Sequence, residues 1–180
     1  MNKFIQTSLL VAVVAICAVG CRHDDAANEL DPNASLNPEA FVEDDFMGYG
    51  DSPMNGVRFE TLPRVEAPAE IQPVYFAYNV AALAPAEATK LGVVADFLAQ
   101  NPGVVLVVEG NCDERGTAEY NMSLGEFRAQ DVRDRLVGLA VSADRIQTSS
   151  KGEENPAAYG HDENSWRLNR RAEFAFYRAK

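Results

Sequence analysis

Residues 109–129 read EGNCDERGTAEYNMSLGEFRA. An apolar stretch, Val104–Glu109, runs into a charged turn bounded by Gly110 and Gly116, and a helix follows. Glycines at both ends of a turn let the backbone take up positive φ angles and hold side chains out at a strand end. Asp113 sits inside that turn. Thr117 stands at the helix N-cap position, with Glu119 favourably placed in the first turn. Arg128 follows Asp113 by fifteen positions. At ~1.5 Å rise per residue it reaches the rim of the turn only from the helix face nearest to it. A ligand carrying both an ammonium and a carboxylate would suit the pair.

Working outward, Val74–Tyr78 reads as a short aromatic strand after Pro73. Ala84–Gln100 reads as one amphipathic helix, with Pro85 at its start, Leu91, Val94, Ala95 and Leu98 at helical spacing, and Asn101-Pro102-Gly103 as its stop. Val104–Glu109 is continuously apolar, the pattern of a strand buried on both faces. The second helix extends from Thr117 to about Leu139, and strands are expected over Arg145–Ser149 and Ala172–Tyr177. The sum is an α+β domain over residues 73–180, ordered βαβα-ββ, with a mixed sheet and helices packed on one side.

The N-terminal 72 residues differ in kind. Lys3 precedes an apolar run, Leu9–Val19, that is shorter than the ~20 residues a membrane-spanning helix needs, so residues 1–20 read as an export signal. The run ends in Ala18-Val19-Gly20-Cys21, similar to the motif in which a lipoprotein cysteine is acylated, although Ala18 stands where a leucine is usual. With Cys17 removed and Cys21 lipidated, Cys112 is the one remaining thiol and no intramolecular disulfide can form. Several acyl chains exceed the two-signal threshold for stable membrane anchoring. Arg22 after the lipid site, rather than an aspartate, favours sorting to the outer membrane.

Residues 21–72 carry no periodic apolar pattern and are punctuated by prolines, and between Arg22 and Gln72 twelve acids face three bases. Such a segment reads as a disordered acidic tether, with an r.m.s. span of ~40 Å for about fifty residues. A cluster of Phe41, Phe46, Met47 and Tyr49 leaves a second reading open, a segment that docks a partner. The net charge of -11 argues against nucleic acid as a partner. No His or Cys cluster has metal-ligand spacing and no nucleotide-binding glycine pattern is present, so neither metal nor cofactor is expected.

The chain from Pro73 to Lys180 resembles the OmpA-like peptidoglycan-binding domain family and, within it, the peptidoglycan-associated lipoproteins. The resemblance is carried by Val74-Tyr75-Phe76, by the 109–129 block, by Val141-Ser142-Ala143-Asp144-Arg145-Ile146, by Gly152-Glu153-Glu154-Asn155-Pro156-Ala157, by Gly160-His161-Asp162-Glu163 and by Asn169-Arg170-Arg171-Ala172. It implies non-covalent binding of the meso-diaminopimelate of the cell-wall stem peptide, with Asp113 on the ammonium and Arg128 on the carboxylate, as charge-assisted chemistry allows. It places Asn79 beside the ligand and Glu114, Thr117, Asn121 and Leu124 around the pocket, with Arg170 and Arg171 adding positive charge at the rim. It further implies a non-enzymatic outer-membrane lipoprotein facing the periplasm. A TolB-like protein is then its partner, within a Tol–Pal system serving envelope integrity and cell division. Service in a secretion or motility machine is the alternative.

Departures from the family pattern are Asn111 and Cys112, where many members have a histidine and a small residue, and Ala77 in place of an acid. Cys112 also admits a cell-wall hydrolase with His161 as its base. Plainer readings stand beside these: Asp113, Glu114 and Arg115 as a solvated turn with local ion pairs, Arg128 paired with Glu126 or Asp131 on the helix surface, and Asn121 and Leu124 as packing groups.

Overall fold

A computed structural model describes residues 57–179. The expected export signal, the expected lipid site at Cys21, most of the expected tether and the Phe41–Tyr49 cluster lie outside the described residues.

The chain orders as β1 (Arg64–Val65), β2 (Val74–Tyr75), α1 (Pro85–Ala88), α2 (Leu91–Gln100), β3 (Val104–Asn111), α3 (Ala118–Gly138), β4 (Ile146–Gly152), α4 (Glu163–Asn169) and β5 (Arg171–Arg178), with 3-10 turns at Phe59–Thr61 and Ala143–Arg145. The strands form one mixed sheet in the order β1-β5-β3-β4, with β2 also on β5. β3 runs parallel to β4 and antiparallel to β5, in a register that sets Leu106 beside both Ile146 and Phe176. This is the α+β architecture expected from the sequence.

Alternation along β3 divides the core. Leu106 and Val108 face Val94 and Leu98 of α2 and Ala129, Val132 and Leu136 of α3, all buried. Phe97 meets Phe176 edge to face, with ring centroids 4.9 Å apart. Val105 and Val107 face the other way, onto Ala175, Tyr177 and Phe59. Burial of each such Val, Leu or Phe side chain contributes roughly 1.5–3 kcal/mol. The helices α2 and α3 cover one face, and the segment from Phe59 to Leu62 helps cover the other.

That covering moves the domain boundary expected at Pro73. Phe59 is buried, and β1 pairs antiparallel with β5 through Arg64 beside Tyr177 and Val65 beside Phe176. Gln147 on β4 accepts from the Phe59 N–H at 2.9 Å and donates to the Val57 carbonyl at 2.9 Å. Residues 57–72 therefore belong to the folded domain, because a both-faces-buried β3 needs apolar groups on its second side.

Three further differences from the expected elements bear on the site. The first strand pairs only through Val74–Tyr75, because beyond Phe76 the chain turns at Asn79, which adopts φ 54°. The single helix expected over Ala84–Gln100 is two, although Thr89 and Lys90 keep right-handed helical angles across the joint. Helix α4 was not expected; Asp162 caps it by accepting from the Ser165 N–H at 2.9 Å. Among the described residues no helix is long and apolar enough to cross a membrane.

Candidate functional site

The site forms where β3 hands over to α3. The β3–β4 register shifts between Gly110 and Asn111, and such a bulge re-aims the strand end. The Cys112 N–H then donates to the Gly152 carbonyl at 2.7 Å. Gly116 turns the chain at φ +119°, and the Thr117 hydroxyl caps α3 by accepting from the Tyr120 N–H at 3.2 Å. Helix and strand approach so closely that a Cβ on Gly110 would lie 1.8 Å from the Gly125 carbonyl oxygen. Two glycines thus bring the first three turns of α3 against the strand end.

This contact carries Arg128 inside. Its side chain is fully buried and donates from Nε to Val80 O at 3.0 Å, from Nη1 to Asn111 O at 2.8 Å and from Nη2 to Ala77 O at 3.1 Å. It pairs with neither Glu126 nor Asp131. Glu126 accepts from Gln130 and Thr148, and Asp131 accepts from Arg135 and from the Leu83 N–H. Among the described residues no carboxylate forms an ion pair with Arg128. Burial pulls its pKa down from the ordinary arginine value, yet a guanidinium remains charged.

Asp113 lies in the same cavity, of about 880 Å³, and is itself buried. Its Oδ1 accepts from the Arg115 N–H and Nε, both at 3.1 Å, and its Oδ2 from Arg115 Nη2 at 2.6 Å and Arg170 Nη1 at 3.2 Å. Burial pushes this carboxyl up. The bonds from Arg115 and Arg170 outweigh that and hold it below the usual carboxylate value. The local ion pair expected of a plain charged turn is therefore present, but it is buried and turned into the cavity.

Of the other residues singled out by sequence, Asn79, Thr117, Asn121, Leu124 and Arg170 also line the cavity. Asn121 braces it, donating to Asp113 O at 3.2 Å and to Glu153 Oε2 at 2.6 Å. Tyr120 hydrogen-bonds to the Asn79 side chain across the mouth. Glu114 does not line it. It points the other way, onto the Trp166 Nε1–H at 2.8 Å and His161 Nδ1 at 2.7 Å, because successive turn residues diverge. Arg171 is buried outside the cavity, on Glu173 and the carbonyls of Asn155 and Asn169.

Sequence reasoning missed Arg115, Tyr78 and Tyr120 as cavity residues. The Arg115 guanidinium carbon lies 3.9 Å from the Tyr78 ring centre and 4.1 Å from that of Trp166. Its only sequence signal was its position two residues after Asp113 in a glycine-bounded turn. Cys112 lines the cavity as a thiol: burial pushes it up to about 11, and its Sγ lies 3.3 Å from the Asn121 carbonyl. With His161 held by Glu114, the cysteine–histidine pair that a hydrolase would need is not formed. Among the described residues no group of three or more His, Cys, Asp or Glu is placed to hold a metal.

A buried arginine with no carboxylate ion pair among the described residues thus shares a cavity with a buried aspartate at the end of a βα turn. The family model described as "OmpA family" matches residues 75–170. This chain belongs to the OmpA family. Within it, the chain is 41% identical over 175 residues to the peptidoglycan-associated lipoprotein of Pseudomonas putida, covering 96% of this chain and 97% of that one. It is 37% identical over 178 residues to the protein of the same name from Haemophilus influenzae, covering 98% and 100%. The crystal structure of the peptidoglycan-associated lipoprotein from Burkholderia pseudomallei superposes with a TM-score of 0.57 at 39% identity, covering 58% of this chain and 89% of that one. The chain is therefore an OmpA-family member of the peptidoglycan-associated lipoprotein kind.

Proposed function

We propose that the cavity between β3 and α3 binds peptidoglycan without covalent bonds by gripping the diaminopimelate of the stem peptide. The observation that carries this reading is Arg128, a buried cation held by three backbone carbonyls and the Cys112 sulfur, with no carboxylate ion pair among the described residues, and lining an open cavity. Carbonyl dipoles solvate such a charge only in part, so a carboxylate entering the cavity gains a strong partner. Asp113 supplies the opposite charge in the same cavity, for an ammonium. Diaminopimelate carries both groups at one end of its side chain, whereas lysine lacks the carboxylate.

The names of the relatives support the same reading. The likeness to the Pseudomonas putida protein runs over 96% of this chain, and Cys21 is the residue proposed to carry lipid. On this reading Cys21 holds the chain in the outer membrane, the residues between Cys21 and Val57 act as the leash, and the domain holds the cell wall. A TolB-like periplasmic protein is the proposed partner, within a Tol–Pal system acting at division. No chemical step is assigned to the protein.

Sedimentation with purified sacculi tests the core of this proposal. The wild-type chain is expected to pellet with diaminopimelate-containing sacculi and not with lysine-containing ones, and Asp113→Asn and Arg128→Lys are expected to stay in the supernatant. Equal pelleting with both wall types would defeat the assignment. Co-purification with Tol proteins tests the partner separately.

A further inference from the structure

We propose that Arg115 is a resident cation occupying the place of the ligand's ammonium on Asp113, and that binding requires its transfer to Glu163. This rests on the reading of the cavity as a site for a zwitterion, which it makes more specific.

The Asp113 carboxylate has no vacancy. Three hydrogen bonds from Arg115 and one from Arg170 fill its two oxygens. An incoming ammonium must therefore displace a donor rather than add to the set. Arg170 is the poorer candidate. Its side chain is 5% exposed, its Nε donates to the Phe76 carbonyl at 3.2 Å and its Nη2 to Glu163 at 2.6 Å. The Arg115 side chain is 27% exposed, and among the described residues its guanidinium is held by carboxylates and aromatic rings rather than by a backbone carbonyl.

A destination is already in place. Glu163, at the first position of α4 and 62% exposed, has its second oxygen 3.7 Å from Arg115 Nη2. The Tyr78 and Trp166 rings flank the guanidinium, and a cation keeps favourable contact with aromatic faces while it shifts by an ångström or so. The charge is thus never stranded in an apolar place. The arrangement also sets specificity. A dicarboxylate without an amine can reach Arg128 but leaves Asp113 locked, whereas a zwitterion exchanges one cation for another and takes both charges.

The apparent affinity of a site that must first open is reduced by the fraction already open. Arg115→Gln, which removes the resident cation, is therefore expected to bind meso-diaminopimelate several-fold more tightly than wild type. Glu163→Gln, which removes the receiver, is expected to bind several-fold more weakly. Two readouts follow Arg115 itself in the full chain: the NMR signal of its Nε–H, and the emission of Trp166, the chain's one tryptophan. Both are expected to shift with meso-diaminopimelate and with concentrated methylammonium, and not with pimelate, which keeps the carboxylates and lacks the amines. Weaker binding by Arg115→Gln, with the Nε–H signal unmoved at saturation, would overturn the proposal and make Arg115 a direct ligand contact or a staple. If methylammonium moves Arg115 but meso-diaminopimelate and sacculi are not bound, the exchange stands and the diaminopimelate reading fails. If sacculi bind and no probe moves Arg115, the exchange fails and the diaminopimelate reading stands.

Discussion

Arg128 donates to the carbonyl of Asn111 at 2.8 Å, tying the third turn of α3 to the last residue of β3. The same guanidinium holds the carbonyls of Ala77 and Val80, so one side chain joins three segments that meet at the cavity. Binding and folding are therefore coupled at this residue. Arg128→Ala leaves three carbonyls without their donor and opens a void, and a loss of about 3 kcal/mol is expected in urea denaturation. Arg128→Lys keeps the charge without the fork, and is expected to recover part of that stability while still failing to hold sacculi. Equal stability of Arg128→Ala and wild type would mean that the carbonyls are satisfied some other way.

Asp113 makes stability depend on acid. Its carboxyl is held below the ordinary value of 3.8, so its contribution is fully present above pH 3.8 and is lost as pH falls through the lowered folded value. Asp113→Asn breaks a buried pair and leaves two guanidinium groups facing an amide, and is expected to cost about 3 kcal/mol near neutral pH. The gap between the two proteins should narrow as pH drops below 3.8. A gap that stays constant down to the acid transition would show that the carboxylate is not charged in the fold.

The sheet and the two principal helices were legible because their signals are local: continuous apolar residues in β3, helical spacing in α2, and the Thr117 cap. The meeting of Asp113 and Arg128 in one cavity was legible too, since both lie within one βα unit. Arg115 was not, because its importance comes from Tyr78 and Trp166, which are distant in sequence and which only the fold brings together. Glu114 was misplaced for the related reason that composition does not say which way a turn residue points. Residues 57–72 were read as tether because Pro63, Pro68 and their acids mask one buried aromatic, Phe59.

Phe59 gives that correction a measurable form. It packs on Val105, Val107 and Ala175, on the sheet face away from α2 and α3. Phe59→Ala is expected to cost about 3–4 kcal/mol, in the range of buried aromatic truncations. A chain that starts at Pro73 loses Phe59 and β1 together, and should melt well below one that starts at Val57. Coincident melting curves would return the boundary to Pro73.

His161 and Glu114 form a second titrating pair outside the cavity. The hydrogen bond that His161 donates to the Glu114 carboxylate raises the His161 pKa above 6.5, so any stability it adds is present below pH 6.5 and is lost as pH rises through the raised value. Glu114 also accepts from Trp166 Nε1–H, which places the reporter on the same carboxylate. Trp166 emission is expected to titrate with a midpoint above 6.5 in wild type, and the midpoint should fall back toward 6.5 in Glu114→Gln. An identical midpoint in both proteins would separate His161 from this carboxylate.

The close approach of α3 to β3 at Gly110 and Gly125 tests the geometry beneath the whole site. A Cβ on Gly125 would lie 2.3 Å from Ser150 Oγ and 2.9 Å from the Gly110 carbonyl oxygen, and a Cβ on Gly110 would lie 1.8 Å from the Gly125 carbonyl oxygen. Neither backbone oxygen can rotate away, so α3 would have to lift from β3. Gly110→Ala is expected to destabilise by about 3 kcal/mol or more, at the severe end of overpacking. Gly125→Ala should be milder, because one of its two obstacles is a hydroxyl at the end of a short side chain. Combining it with Ser150→Ala should recover part of the loss and no more, since the Gly110 carbonyl remains. Both substitutions are also expected to weaken sacculus binding beyond their effect on stability, measured under conditions where each variant is fully folded, because lifting α3 draws Arg128 away from Asp113. Full recovery by Ser150→Ala would show that the backbone contact is looser than these distances require.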